Sequence, residues 1–204
     1  SYMGAAVLHE DTVFPVVKLE IPINIRNTNK PQEHGTLIVK NADYYQSSLE
    51  ISGISGKTGY TAILIEKGKM SEEPQLRAEI LEIFDERKIA VKNILSSIDS
   101  LNIIVHEFDV RDCISVLTEE IWDKVPQGTV TVTSDVALIA IVGRELGTSP
   151  AVAVKVLGAL ANRKINVKLI DHGAQKINMM VGVNSADYMA AIQAIYTEFA
   201  RVEQ

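Results

Sequence analysis

The hexapeptide Arg87-Lys88-Ile89-Ala90-Val91-Lys92 returns 76 residues further along the chain as Arg163-Lys164-Ile165-Asn166-Val167-Lys168. At the same offset and without gaps, Ala62-Ile63-Leu64-Ile65 falls on Leu138-Ile139-Ala140-Ile141. Because separate segments agree at a single offset, the sequence indicates a duplicated structural unit. The fold is therefore best predicted by interpreting the two copies together.

Each copy shows the same succession of predicted elements. An apolar run typical of a buried strand is followed by an amphipathic helix, two more strands and a second helix. The order β-α-β-β-α is that of a ferredoxin-like unit lacking its last strand, which makes the fold class α+β. The predicted strands are 60–65, 89–95 and 101–108 in copy one and 136–142, 165–170 and 177–183 in copy two; apolar helical stripes begin at Leu76, Val110, Val152 and Met189.

The missing last strand indicates how the copies are connected. Copy one is completed by the alternating, β-branched residues 129–133, whereas copy two is followed by no such strand. An unused strand, 49–54, lies before copy one, and we expect it to complete the sheet of copy two. The first βαββαβ unit is then inserted within the second.

This arrangement predicts three parts of the chain. The first unit covers 57–134, and the second covers 46–56 together with 135–204. Residues 1–45 lie outside the repeat and are interpreted as the tail of another domain with its linker. In that tail we predict a helix over 5–19, kinked or ended by Pro15, and strands at 21–25 and 36–39 around a polar loop.

Composition limits the possible functions. The 204 residues are 47% hydrophobic and 23% charged, as in ordinary globular proteins. A formal net charge of −6 gives a nucleic-acid surface no bulk electrostatic support. The single cysteine cannot form an internal disulfide, which fits a cytoplasmic protein. We expect neither a membrane span, because no apolar run is long enough, nor a signal peptide, because the first residues contain no basic region. The chain does not begin with Met, so we expect a piece of a longer protein.

Catalytic and metal-binding patterns are absent from the sequence. Gly56-Lys57-Thr58 resembles the end of a phosphate-binding loop, but Ile51 stands where that motif needs its first glycine. The glycines at 53, 56 and 59 more simply predict a turn between two strands. None of the four histidines has a second ligand at metal spacing, and Cys113 has no base nearby.

Two loops are candidate binding sites because each enters a helix. They are 67–75 in copy one and 143–149 in copy two, the latter with Ser149 as a predicted N-cap and Pro150 as the first helical residue. Backbone N–H groups at a helix start can hold a carboxylate. Polar residues after the opposite strand (Ser96, Ser97 and Asp99) suit an amino group. The alternative is that all of them are ordinary turn residues.

Ordered motifs along the whole chain resemble one enzyme family, aspartate kinase. Three segments resemble the end of its catalytic domain, namely Gly4-Ala5-Ala6-Val7-Leu8-His9, Ile21-Pro22-Ile23-Asn24-Ile25-Arg26-Asn27-Thr28 and Gly35-Thr36-Leu37-Ile38. Others resemble its second ACT domain, namely Val142-Gly143, Ile165-Asn166-Val167, Gly173-Ala174, Asn178 and a last helix ending in Glu198-Phe199. The nested pair of ACT units is also that family's arrangement.

The resemblance implies that the chain is a regulatory region. The parent enzyme transfers the γ-phosphate of ATP, with Mg, to L-aspartate on the route to lysine, threonine and methionine. This chain lacks the catalytic core and should be inactive alone, with no cofactor of its own. It would act on its own kinase domain and form a homodimer through its ACT units, with L-lysine and/or L-threonine bound to the first unit at the dimer interface.

The resemblance also implies an effector site. The effector's carboxylate would meet the loop at Met70, Glu73, Gln75 and Leu76. Its amino groups would meet the backbone of Ala90 and Val91 together with Ser96, Ser97 and Asp99. Lys92 departs from the family. The resemblance implies that lysine-sensitive members can carry an acid at this position, where it faces the side-chain ammonium of the effector. A cation at this position would repel that ammonium. In copy two, Ala151 and Gln175-Lys176 also depart, so that unit is expected to be mainly structural.

Two other interpretations remain open at this point. A stand-alone tandem ACT module that binds a protein partner would show the same repeat, although it would have no need of a kinase tail at 1–40. An unrelated ferredoxin-like enzyme would need catalytic residues, which the sequence does not offer.

Overall fold

The computed structural model describes residues 8, 13, 15, 16, 18–39, 50–147, 149–172 and 177–200. Residues 173–176 therefore lie outside the described residues, and the predicted helix over 5–19 lies largely outside them. Along the chain the elements are β1 Ile23–Ile25, β2 Thr36–Ile38, β3 Gly53–Glu66, α1 Pro74–Glu86, β4 Val91–Ser96, β5 Ser100–His106, α2 Glu107–Val110, α3 Ile114–Lys124, β6 Thr129–Val142, α4 Pro150–Asn162, β7 Leu169–His172, β8 Asn178–Asn184 and α5 Tyr188–Ala200.

The repeated hexapeptide has a structural explanation at its first three residues. Lys88 and Lys164 adopt left-handed backbone angles, with φ of 57° and 56°. The following N–H groups, of Ile89 and Ile165, donate to the carbonyls of Phe84 and Leu160 at 2.8 and 3.0 Å. This is the Schellman pattern that ends a helix. Since the cap occupies these positions, β4 begins at Val91 and β7 at Leu169, later than the predicted starts at 89 and 165.

The six strands after β2 form an antiparallel sheet in the order β4-β5-β3-β6-β8-β7. Its central strands, β3 and β6, are each 14 residues long and run through both halves of the sheet. The second half of β3 pairs with β5, from Tyr60 opposite His106 to Glu66 opposite Ser100. Its first half, Gly53 to Lys57, pairs with the end of β6. This pairing supports the predicted nesting, and the division into units at 57–134 stays a prediction.

Three predictions about where elements break or continue differ from the structure. The strands expected at 129–133 and 136–142 are one strand, β6, and the second helix of copy one is interrupted after Val110. The turn predicted at Gly53, Gly56 and Gly59 is wrong, because these glycines lie inside β3. The register instead shifts between Lys57 and Tyr60, and Gly59 has φ +82°. A bulge with a left-handed glycine bends a strand without ending it.

Helices cover one face of each half of the sheet. In the first half, Ile80 and Phe84 of α1 and Leu117 of α3 pack on Ile63 and Ile103. In the second half, Val156 and Leu160 of α4 and Ile195 of α5 pack on Ile139 and Val181. The helical stripes predicted to begin at Leu76, Val110 and Val152 thus lie in two cores. The stripe predicted to begin at Met189 is wrong at its first residue, because Met189 is 71% exposed and α5 packs through Ala191 and Ile195 instead. None of the helices within the described ranges is long and apolar enough to cross a membrane.

The uncovered face of the sheet buries a third apolar cluster. Tyr60 and Ile104 from the first half pack there with Leu138 and Leu169 from the second. The sheet curls so far that its two outer strands meet, and Asn93 Nδ2 of β4 donates to Asp171 Oδ2 of β7 at 3.1 Å. The two halves therefore form one packed body.

A hydrogen-bonded ion pair joins the end of α1 to α3. The guanidinium of Arg87 donates to Glu120 through Nε, at 2.9 Å, and through Nη2. These bonds lower the pKa of the Glu120 carboxyl and raise the pKa of Arg87. Because the carboxyl pKa is lower in the folded state, its stabilisation is present above the unfolded-state pKa and is lost as pH falls through the folded pKa.

We therefore expect Glu120→Gln to lower the melting temperature at neutral pH, with the difference from the parent shrinking as the solution becomes acidic. Thermal melts over a pH series would measure this. Glu119→Gln, which removes the same charge from an exposed neighbouring position, is the control. A difference for Glu120→Gln that stays constant into acid would contradict the prediction.

Candidate functional site

The loop between β3 and α1 is anchored by a buried methionine. A short 3₁₀ turn, Met70–Glu72, precedes α1, and Lys69 before it has a left-handed φ of 62°. Met70 is fully buried in the core of the first half, and Leu76 is also buried there. Of these two predicted site residues, only the backbone is therefore available to a ligand.

The turn at 97–99 is hydrogen-bonded to that loop. Lys67 N–H donates to the Asp99 carbonyl at 2.9 Å, and Ser71 N–H donates to the Ile98 carbonyl at 2.8 Å. Lys69 N–H donates to the Asp99 carboxylate at 2.8 Å. The structure thus brings the loop and the turn together, as the sequence predicted. One oxygen of Asp99 is already used in holding them.

Charged side chains surround this junction. Lys67 pairs with Glu73, which is half-exposed, and Lys69 Nζ lies 4.0 Å from Glu72. Beside them is a cleft of about 460 Å³, which lies between the loop, the turn and the start of β6. Its lining residues are Glu66, Lys67, Gly68, Asp99, Ser100, Gln127 and Thr129.

The predicted site residues fall into two groups. Gln75, Ser96, Ser97 and Asp99 are exposed, and they lie with Glu73 at the loop end of the sheet. Ala90 and Val91 lie at the other end of β4, where Val91 is opposite Val105 rather than beside the loop. The five residue steps from Val91 to Ser96 correspond to roughly 16 Å of extended strand. A single chain therefore does not gather all nine residues around one ligand.

One charged residue at the junction was missed from the sequence. Arg77, in the first turn of α1, donates through Nη2 to the Ser97 carbonyl at 3.3 Å. The sequence did carry a signal for it. A cation in the first turn of a helix is unfavourable because it lies at the positive end of the helix dipole, so its presence there indicates a specific interaction or function.

The corresponding loop of the second half, 143–149, packs at Gly143 against the chain before β3. Arg144–Gly147 forms a 3₁₀ turn, and α4 begins at Pro150 as predicted. Ser149 occupies the N-cap position, but its side chain makes no capping hydrogen bond. An added Cβ at Gly143 would lie 2.6 Å from the Glu50 carbonyl, so this loop packs tightly against the chain before β3.

The described residues do not form a nucleotide or metal site. Gly56-Lys57-Thr58 lies within β3 rather than in a loop before a helix, which the phosphate-binding motif requires. Over the described ranges, His, Cys, Asp and Glu side chains do not gather in groups of three that could hold a metal ion. The described residues therefore do not fit an ATP–Mg site.

Comparisons with known proteins match both the sequence and the fold. The ACT domain family model matches residues 139–199. Aspartokinase 3 of Bacillus subtilis is 30% identical over 201 residues, which are 98% of this chain and 44% of that protein. The chain thus spans less than half the length of this relative.

Solved structures give the same result. Aspartate kinase of Clostridium acetobutylicum, described as an allosteric enzyme, superposes with a TM-score of 0.83 at 32% identity, over 95% of this chain and 45% of that one. The regulatory subunit of aspartate kinase from Thermus flavus gives 0.62 at 20% identity, over 74% of this chain and 99% of that one. Escherichia coli aspartokinase III, solved with lysine and aspartate, gives 0.72 at 23% identity, over 96% and 43%. The last two likenesses concern the fold alone.

Proposed function

Because this chain has the ACT fold and is homologous to the regulatory region of aspartokinases, we propose that it is the amino-acid-sensing, feedback-inhibition region of an aspartate kinase. In this proposal the parent enzyme is cytoplasmic and uses ATP and Mg to phosphorylate L-aspartate. The effector is L-lysine, L-threonine or both. The relatives found are aspartokinases, which favours this function over a stand-alone module that binds another protein.

The observation that carries the proposal is the junction of the loop and the 97–99 turn. A free amino acid presents a carboxylate and an ammonium group on the same carbon atom. The start of α1 offers backbone N–H groups to the carboxylate. The second oxygen of Asp99 and the Ser97 carbonyl offer acceptors to the ammonium. Both kinds of group lie at the same end of the sheet.

The position of Ala90 and Val91 supports a site shared between two copies. Since they lie one strand length from the junction, one small effector cannot contact both groups in a single chain. Ala90 is exposed just before the edge strand β4, so Ala90 and Val91 of one copy could meet the junction of another. The proposed homodimer through the ACT units would supply that second copy.

The proposed mechanism is a shift between two arrangements of the paired units. The effector binds one arrangement more tightly, and it can shift the equilibrium only by that difference in affinity. The stabilised arrangement would place the attached kinase domain in its weak state. The hairpin β1–β2 and its polar loop, 26–35, would form the connection to that domain.

A thermal-shift panel with lysine, threonine, both together and methionine tests the function. We expect a selective rise in melting temperature with lysine or threonine. A ligand that binds only the folded state stabilises it by about 2.7 kcal/mol at 100 times its Kd. No shift with any of these amino acids would contradict an amino-acid sensor in this chain.

Variants then test the site. Ser97→Ala with Asp99→Ala should reduce the ligand-induced shift, whereas Asp112→Ala, which removes an exposed carboxylate far from the junction, should preserve it. In the full-length enzyme, the double variant should also weaken inhibition by the same amino acid. Identical inhibition before and after the double substitution would overturn the proposed site.

A further inference from the structure

Arg77 lacks the partner that its neighbouring cations have. Lys67 and Lys69 pair with Glu73 and Glu72. Among the described residues, Arg77 has no carboxylate within ion-pair distance, and its one hydrogen bond is the 3.3 Å contact to the Ser97 carbonyl. Its Nε atom is buried and has no hydrogen-bond partner in the described part of the chain. The guanidinium is therefore held at the junction with most of its donors unused.

That arrangement is unfavourable without an anion. A buried donor left without a partner costs free energy. The positive end of the α1 dipole adds to the cost, because Arg77 lies in the first helical turn. A carboxylate at this point would be attracted by both. The planar guanidinium also matches the two oxygens of a carboxylate, so it can bind them side by side.

The repeat provides an internal comparison. At the offset of 76 residues, Arg77 falls on Ala153, the corresponding residue of α4. The two helices otherwise begin alike, with proline as the first residue, and end alike in a left-handed lysine. The cation is therefore not needed to build the helix, and its presence is specific to the first half.

We propose that Arg77 binds the α-carboxylate of the effector amino acid, an assignment that rests on the function proposed above. The carboxylate takes the guanidinium away from the Ser97 carbonyl. The freed carbonyl then accepts a hydrogen bond from the α-ammonium, which is adjacent to the carboxylate in any amino acid. One ligand thus gives the Arg77 guanidinium and the Ser97 carbonyl each a new partner, in place of their weak contact with each other.

Calorimetric titration with an amino acid and its α-amide tests this assignment. The unaltered chain should bind L-lysine or L-threonine more tightly than the corresponding amide. Arg77→Gln should weaken binding of the free acid by roughly 10- to 100-fold, the usual range for a charged hydrogen bond, and should change binding of the amide little. The preference for acid over amide should then largely disappear.

Matched variants separate this role from a structural one. Arg111→Gln removes the same charge from an exposed position over Phe108 and should leave both affinities unchanged. Arg77→Lys keeps the charge without the two-pronged geometry and should bind with intermediate affinity, which keeps the test open if Arg77→Gln folds poorly. If Arg77→Gln or Arg77→Lys retains the full preference for acid over amide, the assignment is overturned. If the unaltered chain binds neither acid, the proposed function fails, and the assignment fails with it.

Discussion

Replacing Phe84 with alanine is expected to lower the free energy of unfolding by about 3–5 kcal/mol, the usual cost of removing a buried aromatic ring. Phe84 is 1% exposed and packs in the core between α1, α3 and the sheet. Its carbonyl also accepts the capping hydrogen bond from Ile89 N–H at the end of α1. Loss of the ring leaves a cavity beside that cap.

Urea denaturation with linear extrapolation would measure the change. Phe108→Ala is the matched control, because the Phe108 ring is 73% exposed and its described ring contact is with the Arg111 guanidinium. The control should cost no more than about 1 kcal/mol. Equal losses for the two variants would show that Phe84 does not occupy the core position described here.

Gly56→Val is expected to destabilise the chain by about 3 kcal/mol or more, as in severe overpacking of a core. A Cβ at this position would lie 2.5 Å from the Leu138 carbonyl and 2.9 Å from the Tyr188 ring. The carbonyl belongs to the neighbouring strand and cannot move aside. The Tyr188 ring is held by its hydroxyl, which donates to the Gly56 carbonyl at 2.7 Å.

Gly53→Val provides the control within the same strand. A Cβ at Gly53 would meet no atom within 4 Å, and its backbone is not left-handed. Because valine favours extended backbone, this variant should be neutral or slightly stabilising. Thermal and urea unfolding of the two variants would compare them directly. A Gly56→Val chain as stable as Gly53→Val would contradict the close approach of β3 and β6.

The sequence predicted the elements of the fold better than their boundaries. The offset of 76 residues identified both helix pairs and the paired strands, because apolar periodicity survives in both copies. The three glycines of β3 were misinterpreted because glycine permits turns and bulges alike. Only the neighbouring strand, which continues past Gly59, decides between them.

The candidate site was predictable in part for a similar reason. The loop follows β3 and the 97–99 turn leads into β5, the strand that pairs with β3, so their meeting could be inferred from the order of elements. The family resemblance does not indicate which copy of the chain supplies each site residue. Within one chain, Ala90 and Val91 lie apart from the other predicted site residues. The place of Arg77 in the first helical turn could be seen in the sequence, but its lack of a carboxylate partner depends on three-dimensional neighbours, which spacing along a helix does not reveal.

The two long strands shared by both halves have a consequence for how such a chain can be divided or inherited. Since β3 and β6 each cross the whole sheet, every cut between the halves would sever a strand rather than a linker. Neither half can be transplanted into another protein as a self-contained module, and neither can drift in sequence without constraint from the other. Mutations that suit one half must be compatible with backbone that the other half uses, so the two copies are bound to evolve as a single unit.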